Sequence, residues 1–145
     1  MGGQIKRLIE DYNIVIRQRP ILAKFNYFDR YRSLIEIKNF VGLRQIIQSD
    51  YPTYSGLMLE RYFKQQLAES FEYRAIGSWW EPKGNQYEID IVALRLEKNQ
   101  AVVAEVKRQR KNFKPELLAA KVAHLKQKLL PHYEIETCCL SLEDM

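Results

Sequence analysis

Four ionisable side chains in the second half of the chain have types and spacing suited to chemistry. They are Glu60, Asp90, Glu105 and Lys107. Side chains alternate along a strand, so Glu105 and Lys107 share one face with Ala101 and Val103. An acid and a lysine on the inner face of an apolar run (Ala101-Val102-Val103-Ala104) are costly to bury without partners. A divalent metal ion supplies one kind of partner. Carboxylates at Asp90 and Glu105 on neighbouring strands suit Mg²⁺, which prefers oxygen ligands and keeps several waters. Such an ion orients a water and stabilises charge on a phosphate under attack. Lys107 would position that water, help deprotonate it, or neutralise the phosphate charge. The alternative is an ion-pair cluster of Asp90, Glu105 and Lys107 with no metal, beside Glu60–Lys64 as an exposed i,i+4 pair.

The elements that must carry these residues are legible in the pattern. Ser55 caps a helix running to about Glu69, with Leu59, Tyr62, Phe63 and Leu67 on one face. Phe71–Trp80 reads as a strand ended by the turn cluster Glu81–Asn85, and Tyr87–Leu96 as a second. Lys98-Asn99-Gln100 turns into a third strand, Ala101–Gln109. Pro115 opens a helix in which Leu118, Val122, Leu125 and Leu129 repeat at helical spacing, and Pro131 stops it. Ile135–Leu142 is a final strand. The order α-β-β-β-α-β makes the fold class α/β with a mixed sheet. Upstream, Ile5, Leu8, Ile9 and Tyr12 fit a short amphipathic helix, and residues 14–23 a small hairpin with Pro20 at its edge or turn. Residues 31–50 read as one or two helices, with Ser49–Pro52 as a breaker.

Composition narrows the class. The chain has 145 residues, 46% hydrophobic and 28% charged, which excludes a disordered or collagen-like chain. No apolar run approaches the roughly 20 residues a membrane span needs. Met1–Arg7 leads into charge rather than an apolar stretch, so a soluble, cytoplasmic protein with no membrane association is expected. Cys138 and Cys139 are the two cysteines, adjacent, which excludes a disulfide framework and a Cys-x-x-Cys zinc site; buried, inert thiols are expected. Net charge is +5, and residues 106–132 hold eight basic side chains against Glu116 alone. That excess fits a polyanion-handling face built from Arg108, Arg110, Lys111, Lys114 and Lys121, or a solvated helix surface. Of Trp79 and Trp80, one is expected in the core and one over the sheet edge; His124 and His132 read as surface or helix-end residues.

Together, Glu60, Glu88-Ile89-Asp90 and Glu105-Val106-Lys107 on α-β-β-β-α-β resemble the PD-(D/E)XK nuclease-like superfamily, with Ile89 where its name has proline. Ser55–Phe63, Ile76–Trp80, Glu88–Ala93 and Ala104–Lys107 further resemble the uncharacterised C-terminal domain of archaeal-type AAA+ ATPases, over residues 53–145. Residues 1–52 resemble the end of that family's winged helix (Leu8–Tyr12, Pro20–Lys24) joined to its helical linker (Tyr31–Glu36). The resemblance implies a restriction-endonuclease-like fold with Asp90 and Glu105 as ligands of Mg²⁺ or Mn²⁺. It further implies Glu60, Asp90, Glu105 and Lys107 as the catalytic set, with Glu60 supporting the metal site, DNA as substrate and an ATPase as possible partner. The chain has no G-x-x-x-x-G-K-[ST] loop, so no ATP site of that kind is expected. The alternatives are a nuclease-fold module that binds nucleic acid or an ATPase without cutting, and a purely structural interaction domain.

Overall fold

The computed structural model describes residues 27–81 and 87–145, which fall into two compact units, 27–58 and Leu59–Met145. The expected first helix, the hairpin, the winged-helix resemblance and most of the Glu81–Asn85 turn lie outside the described residues. In the first unit, α1 (Tyr27–Arg30) and α2 (Arg32–Glu36) precede the start of α3 (Phe40–Glu69). Asn39 caps α3: its Oδ1 accepts the Gly42 N–H at 3.0 Å. A Cβ at Gly42 would stand 2.9 Å from the Asn39 side chain, so glycine makes room for the cap.

The helix runs through the expected breaker at Ser49–Pro52, and Ser55 does not cap it. Proline lacks one N–H and so removes one bond from a ladder that is long on either side, which bends or weakens a helix without having to end it. Ser49 and Ser55 bond back to their own helix instead. Their hydroxyls donate to the carbonyls of Ile46 (2.8 Å) and Pro52 (3.2 Å), three residues back.

In the second unit the remainder of α3 is followed by β1 (Tyr73–Trp80), β2 (Glu88–Arg95), β3 (Gln100–Lys107), α4 (Pro115–Lys128) and β4 (Glu134–Ser141). The sheet order is β1-β2-β3-β4. The first three strands form an antiparallel meander, and β4 pairs parallel to β3 from Gln100↔Glu134 to Lys107↔Ser141. The expected α-β-β-β-α-β order and mixed sheet are therefore present. Asn99 takes φ 60° in the β2–β3 turn, a left-handed conformation that asparagine tolerates. Pro115 stands at the first position of α4, where its missing N–H costs nothing.

Helices cover both faces of the sheet. Leu59 and Phe63 of α3 pack on Ile91, Ala93, Val102, Ala104 and Val106. Leu118 and Leu125 of α4, with Leu130, pack on Ala75, Trp79, Ile89, Val92, Leu94, Ala101 and Val103. This double cover explains the unbroken apolar runs of β2 and β3: a strand buried on both sides has no polar face to alternate with. Each fully buried leucine or isoleucine contributes about 1.5–3 kcal/mol. Trp79 is in the core, as expected for one of the pair. Cys139 is buried and Cys138 half-buried rather than buried as expected, and burial pushes both thiols up. Among the described residues no helix is long and apolar enough to cross a membrane.

Candidate functional site

Asp90 owes its position to an irregularity in β2. Gly77 pairs with Val92, and two residues on Trp79 pairs with Ile89, so two steps of β1 face three of β2. The extra residue is a β-bulge, a device that re-aims a side chain and ends pairing. Pairing between β2 and β3 runs only as far as Ile91↔Ala104. Beyond it the Asp90 carboxylate takes over the strand's role: its Oδ2 accepts the Val106 N–H at 2.8 Å. The Asp90 carbonyl in turn accepts a hydrogen bond from the Ser78 hydroxyl at 2.8 Å.

Glu105 and Lys107 point to the α4 side of β3, on the face that Ala101 and Val103 share. The Glu105 carboxylate is 12% exposed and holds two ammonium groups. Lys107 Nζ lies 2.9 Å from Oε1, and Lys121 Nζ, from the middle of α4, donates to Oε2 at 2.9 Å and Oε1 at 3.2 Å. Burial, joined by the like charge of Glu105, pushes the Asp90 carboxyl above its ordinary range against the Val106 amide and the two lysines. Burial also pushes Glu105 up, but the hydrogen bonds and charges of Lys107 and Lys121 outweigh it and hold the carboxyl below the usual value. Lys107 is raised, because Glu105 and Asp90 outweigh its own desolvation.

Glu60 stands on the other face of the sheet and is not brought into contact with the Asp90, Glu105 and Lys107 side chains. It lies on α3 with Lys64 Nζ at 3.9 Å, and Lys64 donates to the Ser78 hydroxyl at 2.6 Å. The series Glu60–Lys64–Ser78 thus leads to the Asp90 backbone. Of the basic residues marked out for phosphate contact, Lys111 and Lys114 are exposed and Arg108 is half-buried. Arg110 is held by Glu143 at 3.4 Å and Asp144 at 2.5 Å. Lys121 belongs to the Glu105 cluster.

Two features escape a reading of the sequence. One is Lys121 as the second partner of Glu105, sixteen residues away. The other is His124, one turn along α4, whose Nε2 lies 3.0 Å from Glu81 Oε1 and whose ring stacks on Tyr87 at 4.5 Å. Lys128 also binds Glu81, and these hydrogen bonds, Lys128's first, hold that carboxyl below its usual value. Helical spacing of three and seven would align Lys121, His124 and Lys128, but no local signal names their partners.

Among the described residues no three His, Cys, Asp or Glu side chains converge as a ready metal cluster. Asp90 and Glu105 still fit a hard divalent ion in donor chemistry: both are carboxylates, at the end of β2 pairing and on the facing stretch of β3. Their negative charges are matched by the two lysines.

No curated protein and no solved structure matches the chain. A family model described as archaea bacterial proteins of unknown function matches residues 24–119, which covers α1 to α3, the three-stranded meander and the opening of α4. By that match the chain belongs to this family of archaeal and bacterial proteins.

Proposed function

We propose that Asp90, Glu105 and Lys107 form the centre of a Mg²⁺-dependent nuclease that hydrolyses DNA phosphodiester bonds in the cytoplasm. The observation that carries this reading is the pair of carboxylates on neighbouring strands, Asp90 at the β2 bulge with its Oδ2 on the Val106 amide and Glu105 on β3 with Lys107 Nζ at 2.9 Å. Bound at Asp90 and Glu105, Mg²⁺ or Mn²⁺ would supply a polarised water and charge stabilisation. The Val106 N–H fixes the orientation of Asp90. Lys107, protonated, neutralises charge on the phosphate oxygens. Glu60, through Lys64 and Ser78, braces the strand that carries Asp90. Exposed Lys111 and Lys114, with Arg108, offer contacts to phosphates flanking the cut. The resemblance to the C-terminal domain of AAA+ ATPases makes an ATPase the natural protein partner.

A second reading has its own observation. Two carboxylates facing two lysines are already neutral in sum, as suits a module that binds nucleic acid or an ATPase without cutting. Incubation with linear, nicked and single-stranded DNA separates the two. The nuclease reading expects Mg²⁺-dependent cutting, lost in both Asp90→Asn and Lys107→Ala. DNA binding without cutting by the wild type leaves the module.

A further inference from the structure

Glu105 carries more positive charge than an ion pair needs. Both of its oxygens are held by ammonium groups, and Lys121 spans the two at 2.9 and 3.2 Å. Asp90, the other carboxylate of the pair, has one oxygen engaged by the Val106 amide. A divalent ion joining Asp90 to Glu105 therefore meets oxygens that already face ammonium groups and competes with a lysine for Glu105. The two lysines are not equivalent in this. Lys107 is two residues along the same strand as Glu105, so its ammonium stays close whatever Glu105 binds. Lys121 reaches across from α4 on four flexible methylenes and is 21% exposed, so it can withdraw towards solvent.

We infer that Lys121 is a displaceable counter-ion: its ammonium fills the cation position on Glu105, and a divalent ion enters by displacing it. This rests on the metal-dependent reading above and deepens it. The consequence concerns affinity. A lysine that must first be removed weakens metal binding, and it keeps the pair of carboxylates compensated when metal is scarce. In the sequence Lys121 is one cation among eight on a basic stretch; only its position against Glu105 separates it from the rest.

The test is Mn²⁺ binding by the whole chain without DNA, measured by titration calorimetry on wild type, Lys121→Met, Lys121→Gln and Asp90→Asn. Because a hydrogen bond to a charged group no longer has to be broken, both Lys121 variants should bind roughly tenfold more tightly than wild type. Asp90→Asn should bind weakly or not at all. Equal or weaker Mn²⁺ affinity in the Lys121 variants, with binding still dependent on Asp90, would overturn the counter-ion while leaving the metal site in place. Absence of binding in every protein would remove the metal reading itself. A wild-type measurement guards against misfolded variants: added Mg²⁺ should shift the side-chain nitrogen resonance of Lys121 to that of a solvated lysine. A resonance that stays put while Mg²⁺ binds rejects the displacement.

Discussion

An aspartate whose carboxyl lies above its ordinary value in the fold binds its proton more tightly folded than unfolded. Stability then falls as pH rises from the unfolded value, about 3.9, through the folded one. Asp90 is such a group, raised chiefly by burial. Asp90→Asn, which keeps an oxygen for the Val106 amide, should therefore melt higher than wild type at neutral pH without metal. The gap should close on acidification. Glu105 runs the other way: its lowered value contributes stability that is present above about 4.3 and lost as pH falls through the folded value. Glu105→Gln strands two lysines and should cost about 1–3 kcal/mol at neutral pH, with the difference shrinking in acid. Thermal melts across pH check both signs, and a pair of variants shifting in the same direction would contradict the assignment.

The elements that hold these residues depend on the two helices clamping the sheet. Leu118 and Leu125 are 1% and 0% exposed and lie on either side of Lys121 along α4. Leu118→Ala should cost about 2–5 kcal/mol in urea denaturation, because a sheet covered on both faces closes poorly over a cavity. At this scale the strands are legible in the sequence, since the runs Ile91–Leu94 and Ala101–Ala104 signal burial on both faces and Asn99 signals the turn between them. The course of α3 is not, because Pro52 is a strong local signal whose single lost bond is outweighed by a ladder of 30 residues. Asp90, Glu105 and Lys107 are legible as strand-borne, and alternation puts Glu105 and Lys107 on one face, whereas the bulge that aims Asp90 has no local signal. Lys121 and the Glu81–His124 pair are not legible, because their partners lie sixteen and 43 residues away and nothing local encodes that closeness.

For the molecule as a whole, the excess charge sets how it meets a polyanion. If Arg108, Lys111 and Lys114 contact phosphates, DNA affinity in a filter-binding titration should fall steeply with salt as counterions are released. Flat affinity from low to moderate salt would remove that surface from consideration. Arg110 should contribute little while Glu143 and Asp144 hold it, so Glu143→Gln with Asp144→Asn should tighten binding several-fold at low salt. Residues 53–145 retain Leu59 and Phe63, the α3 side chains buried against the sheet, and should unfold cooperatively on their own. A broad, non-cooperative melt would show that the preceding residues complete the core. The parallel seating of β4 beside β3 bears on the order in which the chain assembles. A meander closes through short turns, whereas a parallel neighbour must wait for a crossover to be made and packed. Here that crossover is α4, so the connection that seats the last strand is also the one that supplies Lys121 to Glu105. A chain cut back before α4 would keep the meander's two acids and Lys107 but lose Lys121, the second cation on Glu105.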